Sequence, residues 1–80
     1  MKVKLNAYGI ARDIFHANNV DLELPDDICI KDLKVVLEHE YPDLGRLSSY
    51  RIAVNKELAG DGNPIHAGDE LALIPPVSGG

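Results

Sequence analysis

One stretch of helical periodicity, with alternating sequence on both sides, constrains the fold of this chain more than any other feature. Between residues 30 and 41, apolar side chains recur at the spacing of a helix face, and charged residues occupy the opposite side. Pro42 ends this stretch, because a proline disfavours the α conformation of the residue before it. Before and after it, apolar and polar residues alternate as in half-buried strands. The sequence therefore predicts an α+β domain with one main helix, in which Leu33 and Leu37 are buried.

Four alternating stretches predict four strands, two before the helix and two after it. They comprise residues 2–8, 20–24, 51–55 and 70–74. The segment between the first two has room for a helical turn near residues 11–15, and residues 55–64 are interpreted as a turn and a loop. This order most simply gives a β-grasp (ubiquitin-like) fold: a mixed sheet packs on the helix, with the first and last strands parallel in its middle. Other small α+β folds fit the same order.

Length and charge narrow the possible functions. Eighty residues form one domain with one modest core, which leaves little room for a deep catalytic cleft. The net charge of −5 disfavours nucleic acid as a partner and favours a basic surface on another protein. No apolar run approaches the roughly 20 residues of a membrane span, and a single cysteine cannot form an internal disulfide. We expect a cytoplasmic protein that binds neither membrane nor nucleic acid.

The C-terminal segment carries the strongest indication of function. It reads Pro75, Pro76, Val77, Ser78, Gly79 and Gly80. The two prolines favour an extended exit from the last strand, and glycines without a Cβ can pass through a narrow slot. At the tip, the available functional group is the main-chain carboxylate of Gly80, which we expect to be the true terminus. The sequence thus divides into a folded domain, residues 1–76, and a flexible tail, residues 77–80. The simpler alternative is a frayed terminus of no function.

With this tail, the chain resembles the small subunits of molybdopterin synthase, a family of ubiquitin-like sulfur carriers with the β-grasp fold. Three stretches carry the resemblance, and the predicted order of strands and helix extends it over nearly the whole chain. They are Tyr8-Gly9-Ile10-Ala11-Arg12-Asp13, then Ala53-Val54-Asn55, and then Gly68-Asp69-Glu70 with Leu73-Ile74 and the tail. The C-terminal stretch is the specific one.

The resemblance implies a chemistry at Gly80 for which the chain is not itself the enzyme. An adenylating partner of the ubiquitin-activating type would use ATP to join Gly80 to AMP, and a sulfur donor protein would displace AMP and leave a thiocarboxylate. The thiocarboxylate would then donate sulfur to cyclic pyranopterin monophosphate, held by the large subunit of a heterotetramer, during molybdenum cofactor biosynthesis. The catalytic acids and bases would come from these partners, and the chain itself would bind no cofactor stably.

A docking face for these partners is indicated by large apolar residues at outward positions. Tyr8 shares parity with Lys2 and Lys4, and Ile74 shares parity with Glu70. The resemblance points to Tyr8, Leu58 and Ile74 as partner contacts. Scattered apolar residues on a surface are also ordinary and need no function. Arg12 could pair with a carboxylate of a partner, or form a local salt bridge.

Other candidates and other functions are disfavoured by the sequence. His16, His39 and His66 lie on separate elements without the spacing of metal ligands, so no metal site is predicted. Cys29, at the predicted helix N-cap, is interpreted as structural. Related carriers for thiazole synthesis, tRNA thiolation or protein conjugation stay open as alternatives, although the two prolines argue against the thiazole carrier. A plain interaction module is a third possibility, and a free-standing enzyme is the least favoured.

Overall fold

The fold is a five-stranded sheet with one long helix, seen in a computed structural model that describes residues 1–47 and 49–76. In chain order, the elements are β1 (Lys2–Ala7), α1 (Ile10–Phe15), β2 (Asn19–Glu23), α2 (Ile30–Glu40), a 3-10 helix (Pro42–Arg46), β3 (Arg51–Val54), β4 (Glu57–Ala59) and β5 (Glu70–Ile74). The predicted helical turn between the first two strands is present as α1.

The sheet has the strand order β2-β1-β5-β3-β4. Its two middle strands, β1 and β5, run parallel, with Leu5 opposite Leu71 and Ala7 opposite Leu73. The outer pairs β1–β2, β3–β5 and β3–β4 are antiparallel. This arrangement is the predicted β-grasp fold, and the parallel pairing of the first and last strands is confirmed.

One face of the sheet and the inner side of α2 form the core. Alternation within each strand puts Leu5 of β1 and Leu71 and Leu73 of β5 on the same face, because successive side chains point to opposite sides. These residues belong to one buried cluster with Leu33 and Leu37 of α2, and all five are completely buried. The prediction that both helix leucines are buried is confirmed.

The prediction of a four-stranded sheet is wrong by one strand. β4 pairs with β3 from Ile52 opposite Ala59 to Val54 opposite Glu57, within the segment that the sequence assigned to a turn and a loop. A strand of three residues is too short for alternation to be recognised. Helix α2 ends one residue before the predicted limit, since Tyr41 adopts a non-helical conformation ahead of Pro42.

Candidate functional site

The face of the sheet opposite α2 carries an apolar patch near the end of β5. Register places Ala53 of β3 between Ala72 of β5 and Leu58 of β4, so that these three residues form a row across the sheet. Tyr8 and Ile74 lie beside this row. We call the group the open-face patch, and its lining residues are Tyr8, Ala53, Leu58, Ala72 and Ile74, together with Lys56 and Glu70.

The large side chains of the open-face patch are exposed to solvent, whereas its alanines are buried or half-buried. Tyr8 is 51% exposed, Leu58 60% and Ile74 36%. Ala53 is only 7% exposed, and Ala72 is half-buried. The structure therefore brings the three residues that were predicted as partner contacts together around Ala53 and Ala72, and forms an exposed apolar patch.

The open face is apolar at one end and charged at the other. In register, Lys4 of β1 lies between Asp21 of β2 and Glu70 of β5, and Lys2 is opposite Glu23. Opposite charges on neighbouring strands suit a face that remains in water. The apolar end coincides with the C-terminal end of β5, from which the chain continues to Pro75 and Pro76.

Gly9 shapes the point at which the chain leaves the sheet. Its backbone φ of +56° lies in a region that residues other than glycine rarely adopt. A Cβ at this position would be 3.2 Å from Cγ of Pro75. A side chain at residue 9 would therefore need both a strained backbone and a shift of the Pro75 ring by a few tenths of an ångström.

A group of hydrogen bonds ties the β3–β4 turn to the start of β5, and we call it the Asn55–Asp69 clasp. The backbone N–H of Asn55 donates to the carbonyl of Glu70 (2.8 Å), and the N–H of Glu70 donates to Oδ1 of Asn55 (3.0 Å). The Nδ2 of Asn55 donates to Oδ1 of Asp69 (3.1 Å), while Oδ2 of Asp69 accepts from the backbone N–H of His66 (2.8 Å). Its residues Asn55, Asp69 and Glu70 belong to two of the three stretches that carry the sequence resemblance.

The hydrogen bonds of the clasp also lower the pKa of the Asp69 carboxylate. The backbone N–H of His66 and then the side-chain amide of Asn55 hold the pKa of Asp69 below its usual value. Both donors favour the charged form. The stability that the clasp gains from ionised Asp69 is therefore fully present above the usual aspartate pKa, and is lost as the pH falls through the lowered pKa of Asp69.

The sequence of the chain matches the model of a known protein family over nearly its whole length. The family model described as "ThiS family" matches residues 3–80, which include the sheet, the open-face patch and the C-terminal glycines. The chain belongs to the ThiS family.

Relatives and solved structures resemble this ThiS-family chain over most or all of its length. It is 39% identical over 64 residues to the molybdopterin synthase sulfur carrier subunit of Pyrenophora tritici-repentis, covering 71% of this chain and 69% of the relative. SAMP1, a small archaeal modifier protein of Haloferax volcanii, is 27% identical and superposes with a TM-score of 0.84 over the whole of both chains. In a complex of subunits 1 and 2 of the molybdopterin-converting factor from Helicobacter pylori, the matching chain is 28% identical, with a TM-score of 0.68 and full coverage of both chains.

The remaining predicted site residues of this ThiS-family chain are placed as follows. Arg12 is exposed on α1, outside the lining of the open-face patch, and within residues 1–47 and 49–76 it makes no ion pair. Pro75 and Pro76 are half-buried. The other predicted tail residues, Val77, Ser78, Gly79 and Gly80, lie outside the described residues.

The minor candidates gain no role from the structure. Cys29 is at the N-cap of α2, as predicted, and its Sγ donates to Oδ2 of Asp32 (3.4 Å) instead of capping the helix backbone. In the part of the chain that the structure describes, no three His, Cys, Asp or Glu side chains come together as metal ligands would. No helix in that part is long and apolar enough to cross a membrane.

Sequence reasoning missed four features of this site. Ala53 and Ala72 were not assigned to it, although both occupy outward positions where a strand in water usually has a polar residue. The contact of Gly9 with Pro75 becomes visible only when β1 and β5 are adjacent. Lys56 was assigned to a turn, because the hairpin that places it at the patch includes the overlooked β4.

Proposed function

We propose that this chain is the sulfur carrier subunit of molybdopterin synthase, and that Gly80 carries the sulfur. The observation that carries the proposal is the open-face patch: three exposed large apolar side chains meet at the point where β5 ends and the chain continues towards Gly80. A partner that covers this patch would hold the start of the tail at its own surface. The family match through residue 80 and the names of the relatives support the same function.

The chemistry divides into an activation and a transfer. A carboxylate resists attack by nucleophiles, so an adenylating partner first joins the Gly80 carboxylate to AMP, with pyrophosphate leaving from ATP. A sulfur donor protein then supplies the sulfur that displaces AMP, which leaves a thiocarboxylate on Gly80. In the synthase, the large subunit holds cyclic pyranopterin monophosphate, and the thiocarboxylate sulfur is transferred to it.

The residues of this chain position the sulfur and leave proton transfer to the partners. Tyr8, Leu58 and Ile74 provide the docking area, and its desolvation on binding favours the complex. Pro75, held against Gly9, directs the chain out of the sheet. Gly79 and Gly80 enter the partner's active site without side chains. Because one patch serves both the adenylating enzyme and the large subunit, the two partners bind in turn. We place this cycle in the cytoplasm.

Protein conjugation is the second candidate function. SAMP1, whose name describes a modifier, is 27% identical and superposes over the whole of both chains with a TM-score of 0.84. Both functions need adenylation of Gly80, and they differ in what attacks the activated carbonyl. In conjugation, a lysine amine of a target protein would form an amide bond with Gly80 and release AMP or the sulfur leaving group.

A single-turnover assay separates these functions. The chain, converted to its thiocarboxylate, is mixed with the large subunit from the same organism and cyclic pyranopterin monophosphate. We expect loss of sulfur from Gly80 together with formation of a sulfur-containing pterin, and Gly79→Val should slow this by obstructing the slot. If no sulfur reaches the pterin, and the Gly80 carbonyl instead forms an amide bond with a lysine amine while its sulfur leaves as sulfide, the proposal is contradicted and conjugation is supported.

A further inference from the structure

The β3–β4 turn at the edge of the open-face patch has an unusual residue in an unusual conformation. Val54 pairs with Glu57, so the turn has two central residues, Asn55 and Lys56. Their φ angles are +52° and +73°, which is the combination of a type I′ turn. Such turns favour Asn followed by Gly, because both central residues have positive φ. Here a lysine occupies the glycine position.

Lys56 is the exception among the strained residues of the described chain. Four non-glycine residues within residues 1–47 and 49–76 have positive φ, and the other three are His16, Asp27 and Asn55. Histidine, aspartate and asparagine are the residue types that tolerate this conformation best. A lysine gains no such local compensation, so its side chain is kept at a conformational cost that glycine would avoid.

The position of Lys56 is fixed by its surroundings. The Asn55–Asp69 clasp holds the preceding residue with three hydrogen bonds to the start of β5, and Glu57 is paired within β4. Lys56 therefore emerges at a defined place, and that place is the rim of the open-face patch beside Leu58 and Ala53.

Lys56 puts a positive charge beside the apolar side chains of the open-face patch. The chain has a net charge of −5, and in the described part of it Lys56 forms no ion pair within 4 Å. A partner that covers the apolar patch would approach this cation closely and exclude water from it. A cation at the rim of a protein interface is complemented by an acidic group on the partner. Such a charge pair speeds association and disfavours partners that lack the acidic group.

We infer that Lys56 is a specificity-determining residue of the docking face, and that it pairs with a carboxylate of the large synthase subunit when that subunit covers the open-face patch. The inference rests on the proposed function, because it needs a partner on this face. It adds a polar recognition element to an otherwise apolar contact. A glycine at residue 56 would relieve the strain but would supply no charge.

Three variants of Lys56 test the inference by separating charge from strain. The full chain is titrated with the large synthase subunit from the same organism, by calorimetry at low salt, and its thermal unfolding is followed separately. Lys56→Gly removes both strain and charge, so we expect a Tm higher by about 4 °C and a Kd higher by about fivefold. Lys56→Gln should raise the Kd equally without raising the Tm. Lys56→Arg should leave both close to the original protein.

A matched control and a salt series complete the test. Lys31→Gln removes the same charge from the exposed side of α2, away from the sheet, and should leave the Kd within about twofold, since surface charges at a distance are screened. The Kd differences among the Lys56 variants should shrink as salt is added.

The possible failures have different meanings. If Lys56→Gln and Lys31→Gln have the same effect, or if Lys56→Gly lowers the Tm, the role of Lys56 is overturned. The docking face is retained in that case as long as Ile74→Asp still weakens binding. If Ile74→Asp binds as tightly as the original protein, the docking part of the proposed function itself is wrong.

Discussion

The two faces of the same sheet differ in what covers their apolar side chains. On β5, Leu71 and Leu73 point towards α2 and are completely buried, whereas Ala72 and Ile74 point to the opposite side, where Ile74 is 36% exposed. A strand of five residues thus contributes to the core with one face and to the open-face patch with the other. The exposed apolar residues of the open-face patch are arranged like one layer of a core whose second layer is missing. We propose that a partner provides that layer.

The largest effect that this comparison predicts is a loss of stability from the buried side. Leu33→Ala removes a completely buried side chain from the core cluster and should lower the free energy of unfolding by about 2–5 kcal/mol. Val35→Ala, on the same helix but 65% exposed, is the matched control and should change it by less than about 0.5 kcal/mol. Urea denaturation of both variants measures the difference, and equal effects would contradict the assignment of the buried face.

The open side should respond in the opposite way. Ile74→Asp places a charge on the open-face patch, where it remains hydrated in the free protein but would be buried without a partner charge in the complex. We expect binding to the large subunit to weaken by at least about 2 kcal/mol, with little loss of stability. Val35→Asp adds the same charge on the helix side and should leave the Kd unchanged. An Ile74→Asp variant with unchanged affinity would remove Ile74 from the interface.

A smaller loss of stability is expected at Gly9, which lies against Pro75 where the chain leaves β5. Gly9→Ala combines a positive φ with a Cβ 3.2 Å from Pro75, so it should destabilise the fold by about 1–2 kcal/mol. Gly68→Ala is the control, because Gly68 also has a positive φ (+86°) but nothing lies within 4 Å of its added Cβ. Thermal unfolding compares the two variants. If both behave alike, the contact between Gly9 and Pro75 does not constrain the exit.

Much of this fold could be predicted from the sequence because its periodicities are regular. Alternation in β1 and β5 and the helical spacing of Leu33 and Leu37 are local signals, and the structure confirms them. β4 was missed because its three residues are held by pairing with β3, which is not a local property.

The site divides along the same line. The exposure of Tyr8 and Ile74 follows from parity within a strand, and the sequence was sufficient for it. The contact of Gly9 with Pro75, the Asn55–Asp69 clasp and the position of Lys56 join residues that are distant in sequence or depend on β4, so they required the fold. The roles assigned to residues 77–80 remain predictions.

The central claim is that Gly80 carries sulfur as a thiocarboxylate, and mass spectrometry of the activated protein tests it most directly. The chain is incubated with its adenylating enzyme, ATP and a sulfur donor, and then digested so that the added mass can be assigned to a peptide. The account predicts that sulfur replaces one oxygen in the C-terminal peptide, and that a variant lacking Gly80 gains no such mass while its Tm is unchanged. Peptide assignment is essential because oxidation of Met1 or Cys29 changes the mass by nearly the same amount. Sulfur found on any residue other than Gly80, or absent after incubation with the cognate enzyme, would contradict the account.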